Sequence, residues 1–143
     1  EIRVLIQLPL VPPSGMQLRS ISLRDADQVA RLWKYCDSVE LVRQRVLHLP
    51  SVGIYTDEGQ LASFIMTDNS GSMCHGFTLP EFRGRGLQTL FERALCRQFI
   101  ALGMRPIKYV SSANEIGIPY ANRSPLYTEW KKPDGAPHPW KLS

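Results

Sequence analysis

The sequence predicts an α/β domain of the α+β kind, one mixed central sheet with helices on both faces, in the order β-α-α-β-β-β-α-β. Three observations carry that prediction. Short apolar runs are bounded by turn residues, as at Asp57-Glu58-Gly59 and Asp68-Asn69-Ser70-Gly71. Leu87, Leu90, Phe91, Ala94, Leu95, Phe99 and Leu102 recur at helical spacing, with Gly103 standing where a helix stop belongs. A strand, a glycine-rich turn, this helix and a further strand then follow one another as a β-α-β crossover does.

Residues 2–8 are strand-like, and Pro9 with Val11-Pro12-Pro13-Ser14-Gly15 cannot continue them. Residues 1–15 therefore read as a strand and linker, the joint to an upstream domain, and residues 16–143 as the domain proper. A start at Glu1 instead of Met fits an end piece of a longer protein. Residues 17–23 alternate and form the first strand, with Leu18, Ile21 and Leu23 as core candidates. Asp25 with Gln28 has capping-box spacing ahead of an apolar stripe of Ala26, Val29, Leu32, Trp33 and Cys36. Asp37 with Glu40 repeats the box before Val39, Val42, Val46 and Leu49, and Pro50 ends that second helix. A meander over 52–56, 60–67 and 72–79 follows, and residues 106–112 return as a strand parallel to its last member. Residues 133–143, rich in Pro and Gly, lie on the surface.

At 143 residues, 43% hydrophobic and 21% charged, the chain suits one globular domain with a real core. No apolar run approaches a membrane span and no signal-peptide pattern opens the chain. Three cysteines, Cys36, Cys74 and Cys96, lack metal or disulfide spacing. They read as reduced core residues of an intracellular protein, cytoplasmic or mitochondrial, with no metal. A net charge of +4 favours an anionic partner. Nucleic acid is disfavoured, because the arginines are scattered and no aromatic-basic motif occurs.

Chemistry concentrates after Pro80. Arg83-Gly84-Arg85-Gly86 makes a tight basic turn that opens the long helix. Such a turn presents unpaired N–H groups at the positive end of a helix dipole, and glycine lets a ligand approach the backbone. A P-loop is excluded because no Lys-Ser or Lys-Thr pair follows, and a dinucleotide fingerprint because Thr89 stands three residues after Gly86.

Arg83-Gly84-Arg85-Gly86-Leu87-Gln88 resembles the pyrophosphate loop (Q/R)-x-x-G-x-(G/A) of the GNAT acyl-CoA N-acyltransferases, departing only at Gln88. Within that superfamily residues 17–131 look like the glycine N-acyltransferase branch. The matches are Asp25-Ala26, Val29, Trp33, Glu40, Pro50 through Tyr55, Gly59, Ser63, Ser70 through Met73, Thr78 through Arg83, Asn114-Glu115 and Glu129-Trp130. In that branch this domain is the C-terminal half of a larger protein.

The resemblance implies acyl-CoA, acetyl-CoA or longer, as co-substrate, bound by Phe77, Thr78, Leu79, Arg83, Gly84, Arg85, Gly86, Leu87, Gln88, Thr89 and Asn114. Its pyrophosphate rests on the amides of Arg85 to Thr89 and its pantetheine arm runs along residues 77–79. A small amine or amino acid such as glycine attacks the thioester directly. Two departures bear on catalysis. The branch carries a Glu as general base where this chain has Ser72. His75 is the substitute base on the same strand, facing the other way unless a β-bulge turns it. The family also continues past the Asn with a helix bearing a Tyr that protonates the thiolate. Ile116-Gly117-Ile118-Pro119 is not expected to make that helix, which leaves Tyr127 or Tyr120 as the acid. The alternative to an enzyme is a CoA-binding or protein-interaction module that has lost its base.

Overall fold

A computed structural model of the chain describes residues 9–34, 36, 38–110, 117–123 and 133–136. Four strands form one antiparallel meander in sequence order: β1 (Met16–Arg19), β2 (Ser51–Thr56), β3 (Leu61–Thr67) and β4 (Met73–Thr78). Two helices, α1 (Ala26–Arg31) and α2 (Val39–His48), cover one face. The long α3 (Leu87–Ala101) covers the other, and α4 (Gly117–Arg123) follows it. Tyr55, Phe64, Leu61 and Met66 pack with Val29, Ala30 and Val42 under α1 and α2. Val52, Ile54 and Ile65 pack with Phe91, Leu95 and Phe99 of α3. β2 and β3 are therefore apolar on both faces, which explains why their sequences read as nearly continuous apolar runs.

Side chains, not ladder bonds, shape the approach to α1. Ile21 gives its N–H to Ser51 Oγ and Ser22 gives its N–H to the Tyr55 hydroxyl, so the chain leaves the sheet at Arg19 and not at residue 23. Leu23, expected in the core, is 49% exposed on the 3-10 turn Leu23–Asp25. Asp25 makes no cap hydrogen bond; its Oδ2 accepts from the Tyr55 hydroxyl at 2.7 Å instead. The cap of α2 is Ser38, whose Oγ accepts from Leu41 N–H at 3.2 Å. Asp37, expected as that cap, lies outside the described residues.

Two expectations after α3 are corrected. Residues 106–110 form no strand: they contribute one parallel bridge, Met73 to Lys108, with Met73 N–H donating to Ile107 O at 2.8 Å. Residues 111 and 112 lie outside the described residues. Among the described residues the sheet is thus antiparallel except at that bridge. Gly117–Arg123 is a helix after all. Pro119 falls in its first turn, where an N–H would have no intrahelical acceptor to lose. Residues 1–8 and the tail beyond 136 are also outside the description. No helix among the described residues is long and apolar enough to cross a membrane.

Candidate functional site

α3 begins where its sequence demands. Gly84 and Gly86 adopt φ of 77° and 74°, in the left-handed region that a Cβ penalises. A Cβ built at either would meet nothing within 4 Å, so the glycines serve the turn and leave open space over it. Gly86 is the N-cap and offers no capping side chain. Leu90 N–H is the first to bond back, to Gly86 O at 3.2 Å, which leaves the amides of Leu87, Gln88 and Thr89 without intrahelical acceptors.

These amides border a cleft of about 510 Å³. The turn and helix contribute Phe82, Arg83, Gly84, Gly86, Leu87, Gln88 and Thr89. β4 contributes Gly76, Phe77 and Thr78, with Phe91 and Tyr120 completing the wall. Leu79 N–H bonds to Ala62 O, so by antiparallel alternation the N–H and C=O of Thr78 point away from β3, towards the edge that no strand among the described residues pairs. Arg83 Nε donates to that Thr78 carbonyl at 3.0 Å, tying the turn to the strand. The Arg85 guanidinium lies 5.5 Å from the Phe82 ring. Of the residues expected around a phosphate-bearing ligand, Phe77, Thr78, Arg83, Gly84 and Gly86 to Thr89 line the cleft; Leu79 and Arg85 flank it.

The residues considered for proton transfer are separated. Ser72 precedes β4 in the turn, is 2% exposed, and donates its hydroxyl to Asp68 Oδ2 at 2.7 Å. Asp68 also accepts from Ser70 and from the Ser72 N–H, and these bonds hold its carboxyl below the usual range although burial opposes them. His75 is turned by a bulge. Phe64 pairs with Phe77 and Met66 with Cys74, so His75 and Gly76 together oppose Ile65. His75 has φ of 49°, rare outside glycine.

That twist sends the imidazole to the α1–α2 side. There Nε2–H donates to Val29 O at 2.8 Å, and the ring stacks on Trp33 at 5.1 Å. Burial lowers its pKa to about 4, against a smaller opposing effect of the Val29 bond. Next to it, burial pushes the Cys74 thiol up to about 12, which rules out a thiolate nucleophile there. Asn114 and Tyr127 lie outside the described residues.

The comparisons bear on the family and the fold. The FR47-like protein family matches residues 51–119. Glycine N-acyltransferase of Bos taurus is 25% identical over 130 residues, covering 85% of this chain and 43% of that protein. The chain thus spans less than half the length of that curated relative. A Drosophila protein of known structure superposes with a TM-score of 0.70 at 24% identity, over 82% of this chain and 40% of that one. AAC(6')-Iy, solved with the bisubstrate analogue CoA-S-monomethyl-acetylneamine, superposes with a TM-score of 0.59 at 22% identity, over 76% and 88%.

The chain has the GNAT fold. Its cleft also holds features that sequence reasoning undervalued. The Tyr120 hydroxyl lies 3.1 Å from Thr89 Oγ1, brought there by the helix not expected at that position. Burial raises the Tyr120 pKa, with Glu92 adding to the rise, so the phenol is protonated at neutral pH. Lys108 Nζ donates to Glu92 Oε1 and lies 5.2 Å over the Tyr120 ring. Glu92 is 2% exposed. Its sequence signal was the single acidic residue of that helix, directly after Phe91. Across the sheet, Arg45 Nη1 is buried without a hydrogen-bond partner, an arrangement that costs about 1–3 kcal/mol in a folded protein.

Proposed function

We propose that this domain transfers an acyl group from acyl-CoA to a small amine or amino acid, glycine being the model acceptor. One observation carries the reading: an open glycine turn at the N-terminus of α3 adjoins, in a single cleft, the stretch of the β4 edge at Phe77 and Thr78 that no strand among the described residues pairs. The amides of residues 87–89 and the charges of Arg83 and Arg85 suit a pyrophosphate. The outward N–H of Thr78 suits an amide of the pantetheine arm, and Asn114 keeps the CoA contact that the family resemblance gives it.

In the reaction the amine nitrogen attacks the thioester carbonyl, the C–S bond breaks, the amine gives up a proton and the thiolate takes one. Orientation in the cleft supplies much of the rate. Tyr120, protonated and lining the cleft, is the acid for the thiolate. His75 retains Nδ1 as an acceptor, since Nε2–H is engaged by Val29. Its low pKa keeps it neutral but makes it a weak base, so turnover rises with the fraction of free amine and shows no inflection near pH 6.5.

A second reading, a CoA-binding module without turnover, is favoured by Ser72, whose hydroxyl is engaged by Asp68. Calorimetry with acetyl-CoA and longer acyl-CoAs, followed by thiol release with a panel of amines, separates the two. Binding with thiol release supports transfer; binding without it supports the module. Gly86→Glu, which places a carboxylate where the pyrophosphate belongs, abolishes binding. A folded Gly86→Glu protein that binds acyl-CoA like wild type overturns both.

A further inference from the structure

The Tyr120 hydroxyl meets two side chains of α3. Thr89 Oγ1 lies 3.1 Å from it, and Glu92, one turn further along the helix, is hydrogen-bonded to it. A carboxylate only accepts, so the phenolic proton goes to Glu92. The phenol has no second proton to give, so Thr89 is the donor in a pair whose distance alone allows either direction. Glu92 is 2% exposed, and Lys108 Nζ, which donates to it, lies 5.2 Å over the Tyr120 ring. Tyr120 and Thr89 line the cleft and Glu92 does not. Whatever Glu92 does for the chemistry, it does through the phenol.

Acyl transfer sets opposite demands on pH. The amine attacks only after losing its proton, whereas the acid must still hold its own. A carboxylate against the phenol disfavours the phenolate, because two negative charges would then share a dehydrated site. Burial is the largest cause of the raised Tyr120 pKa; the Thr89 bond opposes it, and the charge and hydrogen bond of Glu92 add to it. Among the described residues the other charges near the phenol are Arg93 on α3 and Lys108 on the segment after it. Arg83, on the turn, belongs to the cleft wall, and Arg123, at the end of α4, is exposed. Glu92 is thus the one group of this set that opposes loss of the phenolic proton by its charge.

We infer that Glu92 is a positioning residue for Tyr120: its carboxylate takes the phenolic O–H, makes Thr89 the donor to the phenol oxygen, and so presents the cleft with an acid fixed in place and carrying its proton. The inference rests on the acyltransfer reading, in which Tyr120 protonates the thiolate. As the C–S bond breaks, rotation about the phenol C–O bond turns the proton from Glu92 to sulfur. The S–H bond forms, the O–H bond breaks, and the phenolate keeps the Thr89 hydrogen bond.

Tyr120 ionisation is followed through the carbon-13 resonance of its ring Cζ, assigned by its loss in Tyr120→Phe. Glu92→Gln keeps the size of the side chain and removes its charge, so Tyr120 ionises at lower pH than in wild type. Thr89→Val leaves the ion pair untouched and takes a donor from the phenolate, so Tyr120 ionises at higher pH. Were the phenol giving its proton to Thr89, the same variant would lower that pH. A titration unmoved by Glu92→Gln, or one that Thr89→Val leaves in place or lowers, overturns the assignment. The pH profile of kcat with acetyl-CoA and glycine reads the catalytic consequence. Tyr120→Phe lowers kcat by about 10²–10⁴-fold, and in Glu92→Gln the alkaline fall of kcat moves to lower pH in step with the titration. An alkaline fall that does not follow the titration overturns the link from Glu92 to catalysis. A wild type that titrates as expected but releases no thiol fails the acyltransfer reading and upholds the hold of Glu92 on the phenol.

Discussion

His75 is held in two conditions that an isolated histidine avoids, a left-handed backbone and a dehydrated ring. Its folded pKa of about 4 lies below the unfolded 6.5, so between those values the unfolded chain binds more protons. The contribution is complete above pH 6.5 and is lost as pH falls through 4. A shift of that size corresponds to at most about 3 kcal/mol, and less where water reaches the ring. We expect His75→Asn, which tolerates the left-handed region, to flatten the fall of unfolding free energy between pH 6.5 and 4. Urea melts across that window check it; parallel wild-type and variant curves would show that His75 does not carry the effect. Asp68 acts in a separate window, because its lowered pKa confines its loss to below 3.8. At Ser72 the structure changes what a substitution should do. Ser72→Glu sets a second carboxylate against Asp68 in a buried turn. It should therefore destabilise the domain by about 1–3 kcal/mol before any gain as a base is seen. A Ser72→Glu protein as stable as wild type in urea would remove the turn-locking role.

At the scale of elements, what was legible follows from local chemistry and what was not follows from tertiary partners. α3 was readable because spacing, the opening glycines and Gly103 all agree. Gly103 has φ of 72°, with Met104 N–H bonding to Phe99 O and Gly103 N–H to Ile100 O, a Schellman stop. Gly103→Ala should cost about 1 kcal/mol, read as a lower urea midpoint, with acyl-CoA affinity unaltered. A midpoint equal to that of wild type would show that the left-handed stop carries no such strain. The meander was readable from its turns. Asp25 stands at the N-cap as expected but makes no capping bond, because Tyr55, thirty residues away in the chain, claims its carboxylate. The strand after α3 reduced to one bridge, and Pro119 hid a helix that tolerates proline in its first turn. The glycine turn was legible as a local anion site. Tyr120 was not, since it acquires its meaning from Thr89 on another element.

Across the whole molecule, β4 is the seam between two cores, and one buried ion pair holds the far side of the cleft. Lys108 and Glu92 are 15% and 3% exposed. The segment that carries Lys108 also supplies the parallel bridge to Met73, while Glu92 lies one turn beyond Thr89 on α3. The pair therefore connects the helix that presents the amides to β4, the strand that lines the cleft. Removing Lys108 takes the cation from a dehydrated carboxylate that keeps its bond to the Tyr120 hydroxyl, and breaking a buried pair in this way costs about 3–5 kcal/mol, whereas replacing both partners by apolar groups of similar size is often close to neutral. Lys108→Met should thus be strongly destabilising, and Glu92→Leu added to Lys108→Met should restore much of the loss. If the pair only stabilises, acyl-CoA affinity should recover with stability in the double variant. If it also sets the cleft, stability should recover while affinity stays low, because a methionine at position 108 places no cation over the Tyr120 ring beside Thr89. We expect the second result, read by urea melts and calorimetry on wild type, Lys108→Met and the double variant; full recovery of affinity would reduce the pair to a structural link.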